Sequence, residues 1–502
     1  MIFTTPLFWL FFGAVLILYQ FFYPNKTLRN LFLLAFSIFF YYKSVGYFFI
    51  LLILTASIDY AMGWQIYRTN APWKKKMFIV FTLLLNLGLL AYFKYAYFLT
   101  SLLNESFGWQ LQPVDYLAVW SNAWTGSHLD IFKIIAPAGI SFYTFQSISY
   151  SIDIYRGNLK PVNSFLDFAF FVSFFPQLVA GPIVRAVDFV PQIDQPYQVS
   201  TQDFNHAVYL ILNGLIKKIL VSDYIAANFV DRIFDSPESY TGFENLIAVY
   251  GYTIQIYCDF SGYTDMAIGV ALLLGFRLTI NFLSPYSAVN ITDFWRRWHI
   301  SLSTWLRDYL YISLGGNRKG KFRQYLNLVI TMLLGGLWHG ANLKFIIWGG
   351  LHGLALALHK FWMEITGTKG EAGSGIGRFV SQVITFHFVA FCWMFFRARD
   401  PDQSAWGVDW SKDVLMVWRM LNRIVYHFEP QLIVQQIIAY RFVFMIMLVA
   451  YLVHWMQRGT KLTLEGWFGR VPDFAKAALI VVIILALYQV KTDTQPFIYF
   501  QF

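Results

Sequence analysis

His339 stands where two apolar runs meet, in the tripeptide Trp338-His339-Gly340. Over the 13 residues from Leu326 to His339 a helix rises about 20 Å, within a hydrocarbon core about 30 Å thick. The imidazole is therefore expected at intramembrane depth, reachable from both sides, with Gly335, Gly336 and Gly340 permitting close backbone approach around it. An ionisable side chain at that depth reads as functional by default; the structural alternative is a hydrogen-bonded packing histidine. A neutral imidazole there suits a general base that takes a hydroxyl proton during acyl transfer. No Gly-x-Ser-x-Gly elbow accompanies it, which points to direct transfer from a thioester to a hydroxyl, or to a relay on another side chain. The tail Phe497-Ile498-Tyr499-Phe500 offers such a relay. Tyr499 lies eight residues past Lys491, and an extended chain of that length reaches roughly 28 Å. A phenol with a pKa of about 10 forms an ester that is still activated. The alternative is an aromatic tail packed on the outer rim.

A second constellation lies just upstream. Trp295, Trp298, Leu302, Trp305 and Tyr309 share one face if residues 293–309 form a helix. Arg296, Arg297 and Arg307 lie off that stripe, and Arg318, Lys319, Lys321 and Arg323 mark the cytoplasmic side. One reading is a membrane-surface helix with an aromatic floor and an arginine rim. The other is a cationic mouth for a phosphorylated donor such as coenzyme A, whose phosphates suit guanidinium forks. Arg296, Arg297, Trp298, Arg307 and Asn317 are the candidate donor contacts. His299, His352 and His359 are expected nearer an interface, where a structural role is favoured.

The elements that must hold these residues are apolar. The 502 residues are 57% hydrophobic and only 13% charged, about half the charge usual in soluble domains. Apolar runs of about 20 residues recur from end to end, as in a polytopic helical membrane protein. The net charge of +10 sits in short loops between runs, a positive-inside pattern that argues against nucleic acid as the partner. Lys74, Lys75 and Lys76 are the strongest cytoplasmic marker of the N-terminal third. The run from residue 2 is expected to be a retained first helix with its N-terminus outside. Cys258 and Cys392 read as buried free thiols, and no metal-ligand spacing is present, so no metal is expected. Residues 168–185, broken by Pro176, Gly181 and Pro182, read as re-entrant or cavity-lining. Lys217 and Lys218 predict a helix partly in the interface or facing water, while Asp259 and Asp265 should face protein or a wet cavity. The expected fold is all-α, with about eleven or twelve membrane helices. It forms one domain over 1–502, with a catalytic core segment at 293–359 and an extracytoplasmic tail at 491–502.

Several stretches carry a family likeness: DFWRRWHISLSTWLRDYLYISLGGNR, LLGGLWHGANLKFIIWGGLHG, APAGISFYTFQSISYSIDIYRG, FFPQLVAGPIVR and IQIYCDFSGYTDMAIG. Together they resemble the membrane-bound O-acyltransferase (MBOAT) family, and within it the bacterial branch that acetylates peptidoglycan and exopolysaccharides such as alginate. The resemblance implies a ring of transmembrane helices with re-entrant segments, a central funnel open to the outside and a cytoplasmic entrance for acetyl-CoA. It maps the family's essential histidine onto His339 and its second recurrent histidine onto His299. The tail resembles the terminal motif of the small partner subunit in teichoic acid D-alanylation, which implies Tyr499 as an acyl carrier. The branch further implies a bacterial inner-membrane location, a polysaccharide acceptor and a periplasmic transferase partner with a Ser-His-Asp site. D-alanyl transfer from a carrier protein is a second reading. A transporter or channel is a third, which would predict inverted repeats of broken helices.

Overall fold

The computed structural model describes residues 3–178, 181–368, 374–398 and 410–490. The chain is 79% helical with no strands among the described residues. Three described stretches are long and apolar enough to cross a membrane: Lys26–Arg68, Pro72–Phe107 and Ile376–Arg397. A fourth joins Pro430–Ala439 to Arg441–Trp455 through an 88° bend. Length and composition alone pick out these among the described residues, while apolar residues of other helices can face either lipid or protein. Many here face protein. The central helix Gly242–Leu273 is buried on nearly all sides, not along one stripe. It starts at a capping box, in which Thr241 and Glu244 satisfy each other's backbone N–H. Likewise, the segment read as re-entrant folds as Phe165–Ser173 and the single turn Phe175–Leu178, both interior.

Lys217 and Lys218 correct a second expectation. They lie in a π-helical turn, Ile216–Asp223, packed on the central helix instead of facing water. Lys218 is fully buried and ion-paired to Asp223 at 2.7 Å and Asp259 at 2.5 Å. Lys217 pairs with Asp265 at 2.7 Å, and Asn213 donates to the same carboxylate at 2.8 Å. Backbone contact seals this layer: a Cβ on Gly214 would lie 2.5 Å from the Gly262 carbonyl oxygen. The carboxylates Asp259 and Asp265 thus face protein, as expected of charges at membrane depth.

The segment drawn as one helix over 293–309 is broken. Ile291–Arg297 ends at Trp298, which is extended, and His299 adopts the left-handed region with φ 43° and ψ 57°, costly for a residue with a Cβ. Ile300–Trp305 follows, then a π-turn over Leu306–Tyr311. All five stripe residues are buried, but against protein and not in lipid headgroups. Trp305 stacks on Phe145 at 3.8 Å and donates its indole N–H to the Phe145 carbonyl at 3.0 Å. A surface helix with its aromatic floor in the membrane is therefore not what forms.

The histidine helix, Lys321–His339, and the return helix, Leu343–Thr366, make a tight hairpin. Asn342 caps the return helix, its side chain accepting from the Lys344 N–H. Glycines set the spacing. A Cβ on Gly336 would sit 2.1 Å from the Phe345 carbonyl oxygen, and one on Gly349 would sit 2.3 Å from that of Met332. Small residues let helix backbones touch in this way. Gly336→Ala is expected to cost about 1–3 kcal/mol by overpacking, read as a lower unfolding midpoint in detergent.

Candidate functional site

His339 is the last residue of its helix, and Gly340 leaves it extended with φ −167° and ψ 153°. The final carbonyls of a helix lack internal donors. Here they are capped from the Pro72–Phe107 helix. Tyr95 donates its hydroxyl to the Leu337 carbonyl at 2.8 Å, and the Lys94 ammonium donates to Trp338 at 2.8 Å and His339 at 2.9 Å. The imidazole is walled by Trp338, Trp348 and Phe396, with ring centroids at 5.0, 5.1 and 5.2 Å. It is 3% exposed. The expectation of an imidazole open to both faces is therefore corrected: aromatic side chains close over it.

The structure brings His299 to the same place. The reversed backbone turns its ring into the core, where it is fully buried, edge-on to Phe260 at 4.6 Å and to Trp338 at 6.3 Å. Its Nδ1 lies 3.3 Å from the Asn281 side-chain oxygen. One indole, Trp338, thus touches both histidines. His352 is also fully buried, against Trp348 at 4.8 Å and Trp295 at 5.3 Å. Both are thus enclosed by protein. His359 is half-buried, with Nδ1 2.9 Å from the Thr292 hydroxyl.

The candidate donor contacts do not form one cluster. Arg296 is exposed, and Arg297 is tied to Asp293 at 2.8 Å. Trp298 is buried between Phe294 and Trp393. Asn317 is exposed in the turn at 312–319. Arg307 forks onto Asp308 at 2.6 and 3.0 Å. It is joined there by two arginines that sequence reasoning missed. Arg185 bonds the Asp308 carboxylate at 2.9 Å, and Arg156 donates to the Asp308 carbonyl and the Ser313 hydroxyl, both at 3.0 Å. Both guanidiniums also lie over the Tyr309 ring, at 5.3 and 5.6 Å. Burial raises the Asp308 carboxyl pKa, but hydrogen bonds from Arg307 and Arg185 outweigh it and hold the group below the usual carboxylate range. The only sequence signal for Arg156 and Arg185 was a lone arginine closing an apolar motif.

An aromatic column joins this rim to the histidine. Tyr309 meets Trp305 at 5.2 Å, Trp305 stacks on Phe145, Phe145 meets Trp338 at 5.3 Å, and Trp338 touches His339. Cys258 and Cys392 are buried free thiols. Among the described residues no group of three or more His, Cys, Asp or Glu is placed to hold a metal. Tyr499 lies outside the described residues.

An all-helical chain with long apolar helices around a buried histidine is a multi-pass membrane protein. Residues 161–396 match the model of MBOAT, the membrane-bound O-acyltransferase family. It is 47% identical over 294 residues to the probable alginate O-acetylase AlgI of Pseudomonas aeruginosa, covering 58% of this chain and 54% of that protein. It is 40% identical over 315 residues to the peptidoglycan O-acetyltransferase of Helicobacter pylori, covering 58% and 59%. It is 29% identical over 279 residues to the teichoic acid D-alanyltransferase of Bacillus subtilis, covering 53% and 70%. The chain thus spans little more than half the length of the alginate and peptidoglycan relatives.

Proposed function

We propose that this protein is an O-acetyltransferase of a bacterial inner membrane. It takes acetyl from cytoplasmic acetyl-CoA and delivers it to an extracytoplasmic polysaccharide, of the alginate type or peptidoglycan. The observation that carries this reading is the aromatic column between a three-arginine rim and a buried, positioned imidazole. Arg156, Arg185 and Arg307 bind donor phosphates as charged forks. His339 removes the proton of the acceptor hydroxyl, and that oxygen attacks the thioester carbonyl. The C–O bond forms, the C–S bond breaks, and the thiolate takes the proton back from the imidazolium. His299 shares the Trp338 wall and shapes the donor end of the path. The acceptor hydroxyl is that of Tyr499, which hands acetyl on to a periplasmic transferase with a Ser-His-Asp site.

The names of the more similar relatives support acetyl as the cargo. The larger covered share of the D-alanyltransferase's own length, 70%, keeps D-alanyl transfer from a carrier protein as the second reading. One assay separates them. Inverted membrane vesicles given radiolabelled acetyl-CoA should acquire label on the luminal side, and free coenzyme A should compete. Label only from an aminoacyl carrier protein would move the cargo to D-alanine, and solute flux without acetyl turnover would make the protein a transporter. In the same assay Arg185→Ala should raise the donor KM about 10-fold with kcat nearly unchanged, as expected when a contact shared by ground and transition states is lost.

A further inference from the structure

We infer that Lys94 is a positioning residue for His339, an inference that rests on His339 being the base. The Pro72–Phe107 helix starts beside Lys74, Lys75 and Lys76, and the histidine helix starts at Lys321 and Arg323. From Lys75 to Lys94 and from Lys321 to His339 each helix climbs about 27–29 Å, so the two residues reach one level. An ammonium at that depth is expensive in hydrocarbon and persists only with partners. Its partners here are the Trp338 and His339 carbonyls, at 2.8 and 2.9 Å, with the Trp338 ring 5.9 Å away. These oxygens carry the negative end of the helix dipole. Gly340 is extended, so no further turn of the same helix satisfies them. The backbone that bears the imidazole is therefore held by a cation from another helix.

The position matters because the imidazole has to meet a thioester carbon and a hydroxyl in one geometry. A shift of about 1 Å in such a site can cost roughly 100-fold in rate. Lys94→Met removes the two charged bonds and lets the terminal turn fray. In full-length protein in native membranes, kcat should fall about 30-fold or more with donor KM within about twofold. Lys94→Arg, which keeps a cation with several donors, should recover most of the loss. A purely packing lysine would give lower protein levels and no such split. Wild-type kcat in Lys94→Met overturns the inference, as does a loss that follows only the amount of folded protein. If Lys94→Met does not accumulate, Lys94→Gln against Lys94→Arg decides: equal kcat in the two overturns it, and a clear advantage for the arginine supports it. His339→Ala run beside them separates the two readings. Activity in His339→Ala sinks the base assignment, whereas a dead His339→Ala with a wild-type Lys94→Met sinks only this inference.

Discussion

His339→Ala is expected to lower acyl transfer about 1,000-fold, the loss typical when a general base is removed, measured as turnover per mole of folded protein. The harder version of the test is His339→Phe. The imidazole is packed among Trp338, Trp348 and Phe396, so a phenyl ring keeps the wall filled while removing both ring nitrogens. A histidine held only for packing would tolerate that change and retain activity. A base would not, and His339→Phe should be as inactive as His339→Ala at normal protein levels. Turnover in His339→Phe within about tenfold of wild type would remove His339 from the chemistry.

The largest stability effect is expected at Lys218. It is fully buried and serves both Asp223 and Asp259. Lys218→Met leaves two carboxylates in the interior without their cation, and breaking one side of a buried pair costs about 3–5 kcal/mol. Unfolding in detergent should show that loss, well beyond the effect of Gly336→Ala. Adding Asp259→Asn to Lys218→Met should recover part of it, because one stranded charge is gone. Single and double variants that simply sum would show that the pair is not coupled.

Much of the site could be read from residue types and spacing. The Trp338-His339-Gly340 junction and the hairpin it closes both follow local patterns. So does the close approach at Gly336. What escaped were features that depend on partners distant in the chain. Lys94 sits in an apolar run 245 residues before the carbonyl it caps. Arg156 and Arg185 join Arg307 only because three segments meet at Asp308 and Tyr309. Helical periodicity carried the 293–309 segment straight through His299, whose left-handed backbone re-aims the ring into the core. A left-handed backbone is uncommon even for histidine, one of the types enriched there, so residue type and spacing alone did not place it. Lys217 and Lys218 were misplaced for the opposite reason. Their cost in lipid was judged without the aspartates of the central helix that neutralise them.

The glycine contacts of the histidine hairpin have a mechanical consequence. With Gly336 and Gly349 at backbone distance there is no side-chain slack between the two helices, so they move as one stiff blade that carries both His339 and Trp348. Of the rings that wall the imidazole, Trp338 and Trp348 ride on this blade and Phe396 comes from another segment, while the stacked pair Phe145 and Trp305 backs Trp338. A path to this histidine would therefore have to open by displacement of Phe396, with the blade itself staying put.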